Sequence, residues 1–217
     1  MPPRITPTRG ISERVASGRG ARVPLVTGTG GAPPEALRRE LRSVLIPASR
    51  IRSRVGELGR RISADYAGRE LVVVGLMNGT VVFLSDLIRQ IRLPLSLEFL
   101  RATSYRDSTR PGLLTITRTP PVELGGRHVL VVDDILDTGR TLDTVLRRLR
   151  RLGPASLRTC VLLDKPERRE RPAIADYVGF RIPDVFVVGY GLDLAGRHRN
   201  LPYVAIAIPP SGSGGRV

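Results

Sequence analysis

Residues His128 to Leu142 pass from an apolar run, Val129-Leu130-Val131-Val132, into two adjacent carboxylates, Asp133 and Asp134. They end in Asp137-Thr138-Gly139-Arg140-Thr141. The apolar run reads as a buried strand and the residues from Leu142 onward as a helix, so residues 137–141 open a helix N-terminus. Such a terminus offers unpaired backbone N–H groups and the positive end of the helix dipole, which suit a phosphate. Gly139 lets the backbone approach an anion closely. Thr138 and Thr141 add hydroxyl donors, and Arg140 adds charge. Carboxylates repel phosphate, so Asp133 and Asp134 need another partner: vicinal sugar hydroxyls, whose O–H groups they accept, or Mg²⁺. Capping accounts for Asp137 but not for two further carboxylates directly after the apolar run. The chemistry that this set fits is the binding of a ribose 5-phosphate.

The surrounding pattern predicts the elements that hold this segment. A first helix is expected after Pro33-Pro34, then a short apolar run at Val44-Leu45-Ile46. Ser49 is read as the cap of a second helix, on which Ile51, Val55, Leu58, Ile62 and Tyr66 recur at helical spacing, with Gly68 as its end. Leu71 to Leu76 is a buried strand, Met77-Asn78-Gly79-Thr80 a turn, and Phe83, Leu84, Leu87, Ile88 and Ile91 mark one face of a helix. Strands are expected at 95–102, 113–118, 128–132, 157–163, 177–180, 186–190 and 203–208, with loops between, including a polar one at 103–112. Strands alternating with helices in the middle of the chain predict an α/β domain with a mostly parallel sheet flanked by helices. Residues 1–31, rich in Arg, Gly and Pro, read as a disordered tail, 32–209 as the domain and 210–217 as a flexible C-terminal tail.

The formal net charge of the 217 residues is +15, and of 35 basic residues all but Lys165 are arginine. The arginines are scattered through every segment, with no basic stripe interleaved with aromatics. Solubility and a general attraction for anions therefore explain the charge at least as well as nucleic acid, which is kept as the lesser reading. The one cysteine, Cys160, excludes an internal disulfide and a Cys-rich metal site, and its apolar neighbours predict a buried thiol. No long apolar stretch reads as a signal peptide or a membrane span, so a cytoplasmic enzyme is expected.

The stretch Val129 to Leu142 resembles the phosphoribosyl pyrophosphate motif of the type I phosphoribosyltransferases. Residues 176–184 (Asp-Tyr-Val-Gly-Phe-Arg-Ile-Pro-Asp), 186–193 (Phe-Val-Val-Gly-Tyr-Gly-Leu-Asp) and 197–201 are similar to the hypoxanthine-guanine members of that family. The resemblance spans roughly residues 35–208. It implies the type I fold, with a small hood built from N- and C-terminal segments over the central sheet. It also implies Mg²⁺ as cofactor, phosphoribosyl pyrophosphate and a 6-oxopurine as substrates, and a homo-oligomer, dimer or tetramer.

By the same resemblance Asp133 and Asp134 hold the ribose hydroxyls, Asp133 standing where the family usually has Glu. Asp137 is the general base at purine N7, and residues 137–141 cradle the 5′-phosphate. Lys165 contacts the exocyclic O6, Phe186 stacks on the purine and the Val187 backbone bonds its edge. Asp193 lies near the 2-amino side and binds Mg²⁺, with Asp133 and Asp134 as further metal-ligand candidates. Arg199 reaches pyrophosphate, and Ser104 and Tyr105 belong to a mobile loop over the site. The family usually has Leu-Lys-Gly, often with a cis peptide, at the turn that binds pyrophosphate. Here Met77-Asn78-Gly79 replaces it. Asn78 lacks the positive charge, so Asn78 and Gly79 are expected to serve through backbone N–H groups beside Arg199 and metal. Two alternatives stand: the same enzyme with another base such as xanthine, or a regulator of this fold that binds nucleic acid.

Overall fold

The computed structural model describes residues 23–26, 31–104, 114–118 and 123–208. A six-stranded sheet forms its centre. Its strands in chain order are β2 (Leu71–Met77), β3 (Leu95–Ser104), β4 (Leu114–Arg118), β5 (His128–Leu136), β6 (Ser156–Asp164) and β7 (Tyr177–Arg181). Their spatial order is β4-β3-β2-β5-β6-β7. All neighbouring pairs are parallel except β3 with β4. A separate antiparallel sheet joins β1 (Leu41–Ile46), β9 (Val204–Ala207) and β8 (Val187–Val188) in that spatial order. N- and C-terminal segments thus build the small hood.

The near-continuous apolar runs arise because the central strands are covered on both faces. Leu71, Val73, Leu130 and Val132 point to the face carrying α1 (Ala48–Asp65) and α2 (Val81–Ile88), where they pack with Ile51, Leu58, Phe83 and Leu84. Val72, Val74, Val129 and Val131 point to the other face. They meet Leu142, Val145, Leu146 and Leu149 of α3 (Arg140–Arg150). Each such side chain contributes about 1.5–3 kcal/mol by leaving water. Cys160 is fully buried in the first of these layers, and burial pushes its thiol pKa far up. The buried Arg54 guanidinium donates to the Val178 and Gly179 carbonyls at 2.9 Å each, which fastens α1 to β7. Among the described residues, no helix is long and apolar enough to cross a membrane.

Several boundaries differ from the sequence reading. The helix expected after Pro33-Pro34 is one 3-10 turn, Glu35–Leu37, because the chain at once turns into β1. Ser49 lies inside α1, whose N-cap is Pro47. β5 does not stop at Val132 but continues through both aspartates to Leu136, since Asp133, Ile135 and Leu136 still pair with β6. Residues 23–26 of the expected tail are held: Pro24 and Val26 exchange backbone hydrogen bonds with Arg181, and Val26 is buried. Ser104, expected in a mobile loop, is the last residue of β3 and pairs with Leu114. Tyr105 and the rest of that loop, residues 1–22, 27–30 and 210–217 of the two expected tails, and residue 209 lie outside the described residues.

Candidate active site

β2 and β5 are parallel neighbours, so the turns that follow them meet at one edge of the sheet. After β2 comes the turn at 77–80, with a cis peptide between Met77 and Asn78. After β5 comes Asp137-Thr138-Gly139, and Gly139, at φ +81°, caps α3 in a left-handed conformation that a side chain would disfavour. The hood lies over both. The carbonyl of Gly79 fills the space in which a side chain at Gly191 would stand.

Two cavities open at this edge. The smaller, about 310 Å³, is lined by Asp133, Asp134, Asp137, Thr138, Gly139 and Thr141 together with Met77. The larger, about 490 Å³, is lined by Asn78, Gly79, Lys165, Phe186, Val187, Asp193 and Arg199. Asp134, Ile135 and Asp137 belong to the walls of both. All the expected ligand-binding residues of the described chain line one cavity or the other, save Arg140. Its exposed guanidinium pairs with Glu170 at 2.5 Å, and its backbone N–H donates to Thr138 Oγ1 at 3.4 Å.

The acidic edge is strongly perturbed. Thr80 Oγ1 donates to Asp133 Oδ1 at 3.2 Å, and the Asp134 N–H donates to the same oxygen at 3.0 Å. The Ile135 N–H donates to Asp134 Oδ1 at 2.8 Å. Desolvation raises both carboxyl pKa values, and repulsion from Asp134 lifts that of Asp133 well above the usual range. A site that holds two such groups side by side stabilises whatever delivers hydroxyl protons or positive charge to them.

In the wall of the larger cavity Lys165 is 7% exposed. Burial lowers its pKa, and the charges of Asp137 and Asp184 oppose that shift. Its Nζ is 4.0 Å from Asp184 Oδ1. Asp193 accepts the Gly196 N–H at 2.7 Å and pairs with Arg199 at 2.6 Å, while Arg199 also donates to the Gly191 carbonyl at 2.7 Å.

Four residues of this site were not legible in the chain pattern. Arg168 lines the larger cavity, 3.3 Å from Asp137 and 3.7 Å from Asp184. Its spacing of three from Lys165, across a 3-10 turn opened by Pro166, was the available signal. Arg169 donates to the Leu136 carbonyl at 3.1 Å, to the Asp137 carbonyl and to the Asp164 carboxylate, and so braces the turn after β5. Asp184 and Thr80 carried no distinguishing signal.

Residues 47–194 match the phosphoribosyl transferase domain family. The chain is 47% identical over 165 residues to the hypoxanthine phosphoribosyltransferase of Haemophilus influenzae, covering 74% of this chain and 92% of the relative. It is 40% identical over 188 residues to the hypoxanthine-guanine phosphoribosyltransferase of Mycobacterium avium, covering 83% and 93%. The crystal structure of a hypoxanthine phosphoribosyltransferase from Staphylococcus aureus superposes with a TM-score of 0.76 at 39% identity, over 81% of this chain and 96% of that one. A glycine-containing turn between β5 and α3, a hooded cavity beside it and this degree of identity agree: the chain belongs to the phosphoribosyltransferase family, among its hypoxanthine and hypoxanthine-guanine phosphoribosyltransferases.

Proposed function

We propose that this enzyme serves purine salvage: it transfers the 5-phosphoribosyl group from phosphoribosyl pyrophosphate to hypoxanthine or guanine, giving IMP or GMP and pyrophosphate. One observation carries the reading. Asp134 and Asp137 wall two adjoining cavities, one bounded by the turn at residues 137–141 and the other lined by the buried Lys165.

In this reading the smaller cavity takes the ribose 5-phosphate. The N–H groups and hydroxyls of residues 138–141 hold the phosphate, with Arg140 acting through its backbone, while Asp133 and Asp134 accept the ribose hydroxyls. The base lies in the larger cavity. Lys165 donates to O6, Phe186 stacks on the ring, the Val187 backbone meets its edge and Asp193 faces the C2 side. An ammonium can donate to a 6-oxo group and not to the amino group of adenine, which selects the substrate class. Pyrophosphate lies toward Asn78, Gly79 and Arg199.

As the bond from C1 to the pyrophosphate oxygen lengthens, positive charge grows at the ribose. The purine nitrogen forms the new bond to C1, and Asp137 accepts the proton from N7. Among the described residues no three metal-ligating side chains cluster, but Asp134 and Asp193 line one cavity. One or two carboxylates completed by phosphate oxygens and water make a donor set that fits Mg²⁺, with Asp133 in reserve on the ribose edge. When bound, the ion neutralises the leaving pyrophosphate. We place the enzyme in the cytoplasm as a homo-oligomer, which fractionation and sedimentation test.

The test of the reaction is pyrophosphate release from phosphoribosyl pyrophosphate with hypoxanthine, guanine, xanthine or adenine, with and without Mg²⁺. Release is expected with hypoxanthine or guanine plus Mg²⁺ and not with adenine. No nucleotide from any 6-oxopurine would defeat the reading, and a marked preference for xanthine would reassign the base.

A further inference from the structure

Arg199 stands at the end of a hairpin, residues 189–201, that joins β8 to β9. Backbone bonds close it: Gly189 with Leu192, Gly191 N–H to the Arg199 carbonyl at 2.9 Å, and Leu194 with Arg197 in both directions. The residue just before Arg199 is unusual. His198 has φ +73°, a left-handed conformation that a side chain makes costly. A relaxation of residue 198 to the right-handed region would swing the peptide that leads into Arg199.

The His198 side chain is 8% exposed, and its Nε2 lies 2.6 Å from Glu40 Oε2. Arg197 reaches the same carboxylate at 3.2 Å and its other oxygen at 3.4 Å. Glu40 is itself fixed. Its carbonyl accepts the Ile208 N–H at 2.8 Å, and the next residue, Leu41, pairs with Ala207 in the small sheet. One carboxylate from the N-terminal side thus gathers the two residues that precede Arg199, across 158 positions of sequence. Glu40 and His198 both lie outside residues 47–194, the part of the chain that matches the family.

We propose that Glu40 is a positioning residue for catalysis: by clamping His198 in its left-handed conformation it sets where the Arg199 guanidinium stands in the cavity. The inference rests on the reading of Arg199 as a pyrophosphate contact. Glu40 lines neither cavity, so its loss should be felt by the ligand that Arg199 meets and not by the base.

The experiment compares Mg²⁺-phosphoribosyl pyrophosphate affinity by calorimetry, KM for hypoxanthine, and melting temperature in wild type, Glu40→Ala, Glu40→Gln, His198→Gly and Arg199→Ala. Residues in contact couple strongly, so Glu40→Ala should weaken phosphoribosyl pyrophosphate about fivefold or more while the hypoxanthine KM stays within about twofold. Glu40→Gln keeps an acceptor for the imidazole and should recover part of the loss. Adding Glu40→Ala to Arg199→Ala, or to His198→Gly, should cost nothing further. If Arg199→Ala weakens phosphoribosyl pyrophosphate but Glu40→Ala does not, the positioning role is overturned and the reading of Arg199 stands. If Arg199→Ala has no effect on that ligand, both fall. Equal losses for the two substrates in Glu40→Ala would mean a general structural role and also overturn the inference.

Discussion

The carboxylate of Asp134 occupies the space into which any side chain at residue 79 would project. The two positions come from parallel neighbours, Gly79 from the turn after β2 and Asp134 from β5. The Gly79 carbonyl in turn fills the space beside Gly191 of the hood. Gly79 is therefore pressed from both sides, and the residue type answers the crowding. Gly79→Ala should force Asp134 aside. Overpacking of this kind costs about 1–3 kcal/mol, or roughly 2–4 °C of melting temperature per kcal/mol for a chain of this size. The displaced carboxylate belongs to both cavities, so turnover should fall about tenfold or more, as a shift of about 1.4 kcal/mol implies. Calorimetric melting with steady-state kinetics checks this. A variant with unchanged melting and unchanged kcat would mean that the turn gives way freely.

Asp137 should behave in the opposite manner, with a large kinetic effect and a small structural one. Arg168 Nε stands 3.3 Å from its carboxylate, and both side chains are about one-third exposed. An ion pair so open to water contributes about 0–1 kcal/mol. As general base Asp137 would supply about 10²–10⁴-fold in rate. Asp137→Asn is thus expected to melt close to the wild type and to lose most of its kcat, while phosphoribosyl pyrophosphate still binds. Retention of near-full turnover would remove Asp137 from the chemistry.

The Asp133–Asp134 pair makes the free enzyme pH-sensitive in a defined direction. In the folded state burial raises both carboxyl pKa values, whereas in the unfolded chain they titrate normally near 3.8. Folding then takes up protons. The contribution to stability is present below the unfolded value and is lost as pH rises through the folded values. Asp133→Asn keeps acceptors for the Thr80 hydroxyl and the Asp134 N–H but carries no charge. Without ligand it should melt higher than wild type at neutral pH, by about 2–4 °C for each kcal/mol of relieved repulsion, and the gap should close toward pH 4. A ligand-free variant that melts below wild type at neutral pH would show that the pair is not repulsive. On the proposed role of Asp133 as a ribose-hydroxyl acceptor, the same variant is expected to lose activity.

Much of the scaffold was legible because it is periodic. Ile51, Val55, Leu58, Ile62 and Tyr66 recur at helical spacing and are all buried, and the uninterrupted apolar run of β2 signals a strand covered on both faces. The turn after β5 was legible because carboxylates, hydroxyls and glycine stand together in one short stretch. What escaped was local or long-range. β5 runs on through Asp133 and Asp134 because backbone pairing with β6 outweighs their low strand propensity, and no pattern within β5 announces its partner. Arg140 looked like a phosphate ligand by position, yet its exposed guanidinium meets Glu170, thirty positions away by number and adjacent in space. Arg169 and Glu40 act through contacts of the same long-range kind, which a single chain does not reveal.

Lys165 is the remaining test, and it separates the base from the sugar phosphate. Lys165→Met keeps an unbranched apolar stem of similar length and removes the ammonium. Loss of a hydrogen bond to a charged donor costs about 1.5–3 kcal/mol, so the KM for hypoxanthine should rise by roughly 10- to 150-fold with phosphoribosyl pyrophosphate affinity nearly unchanged. The environment of the ammonium adds a pH signature. Burial pushes its pKa down, and Asp137 and Asp184 oppose the shift. The half-exposed Asp184 can be altered without touching Asp137. Asp184→Asn withdraws one opposing charge, so the Lys165 pKa falls further and the charged form is lost at lower pH. Base affinity in Asp184→Asn should therefore decline earlier on the alkaline side than in wild type. Ionisation of hypoxanthine itself is common to both enzymes and cancels in the comparison. Superimposable alkaline limbs for the two proteins would mean that the Lys165 charge does not govern recognition of the base.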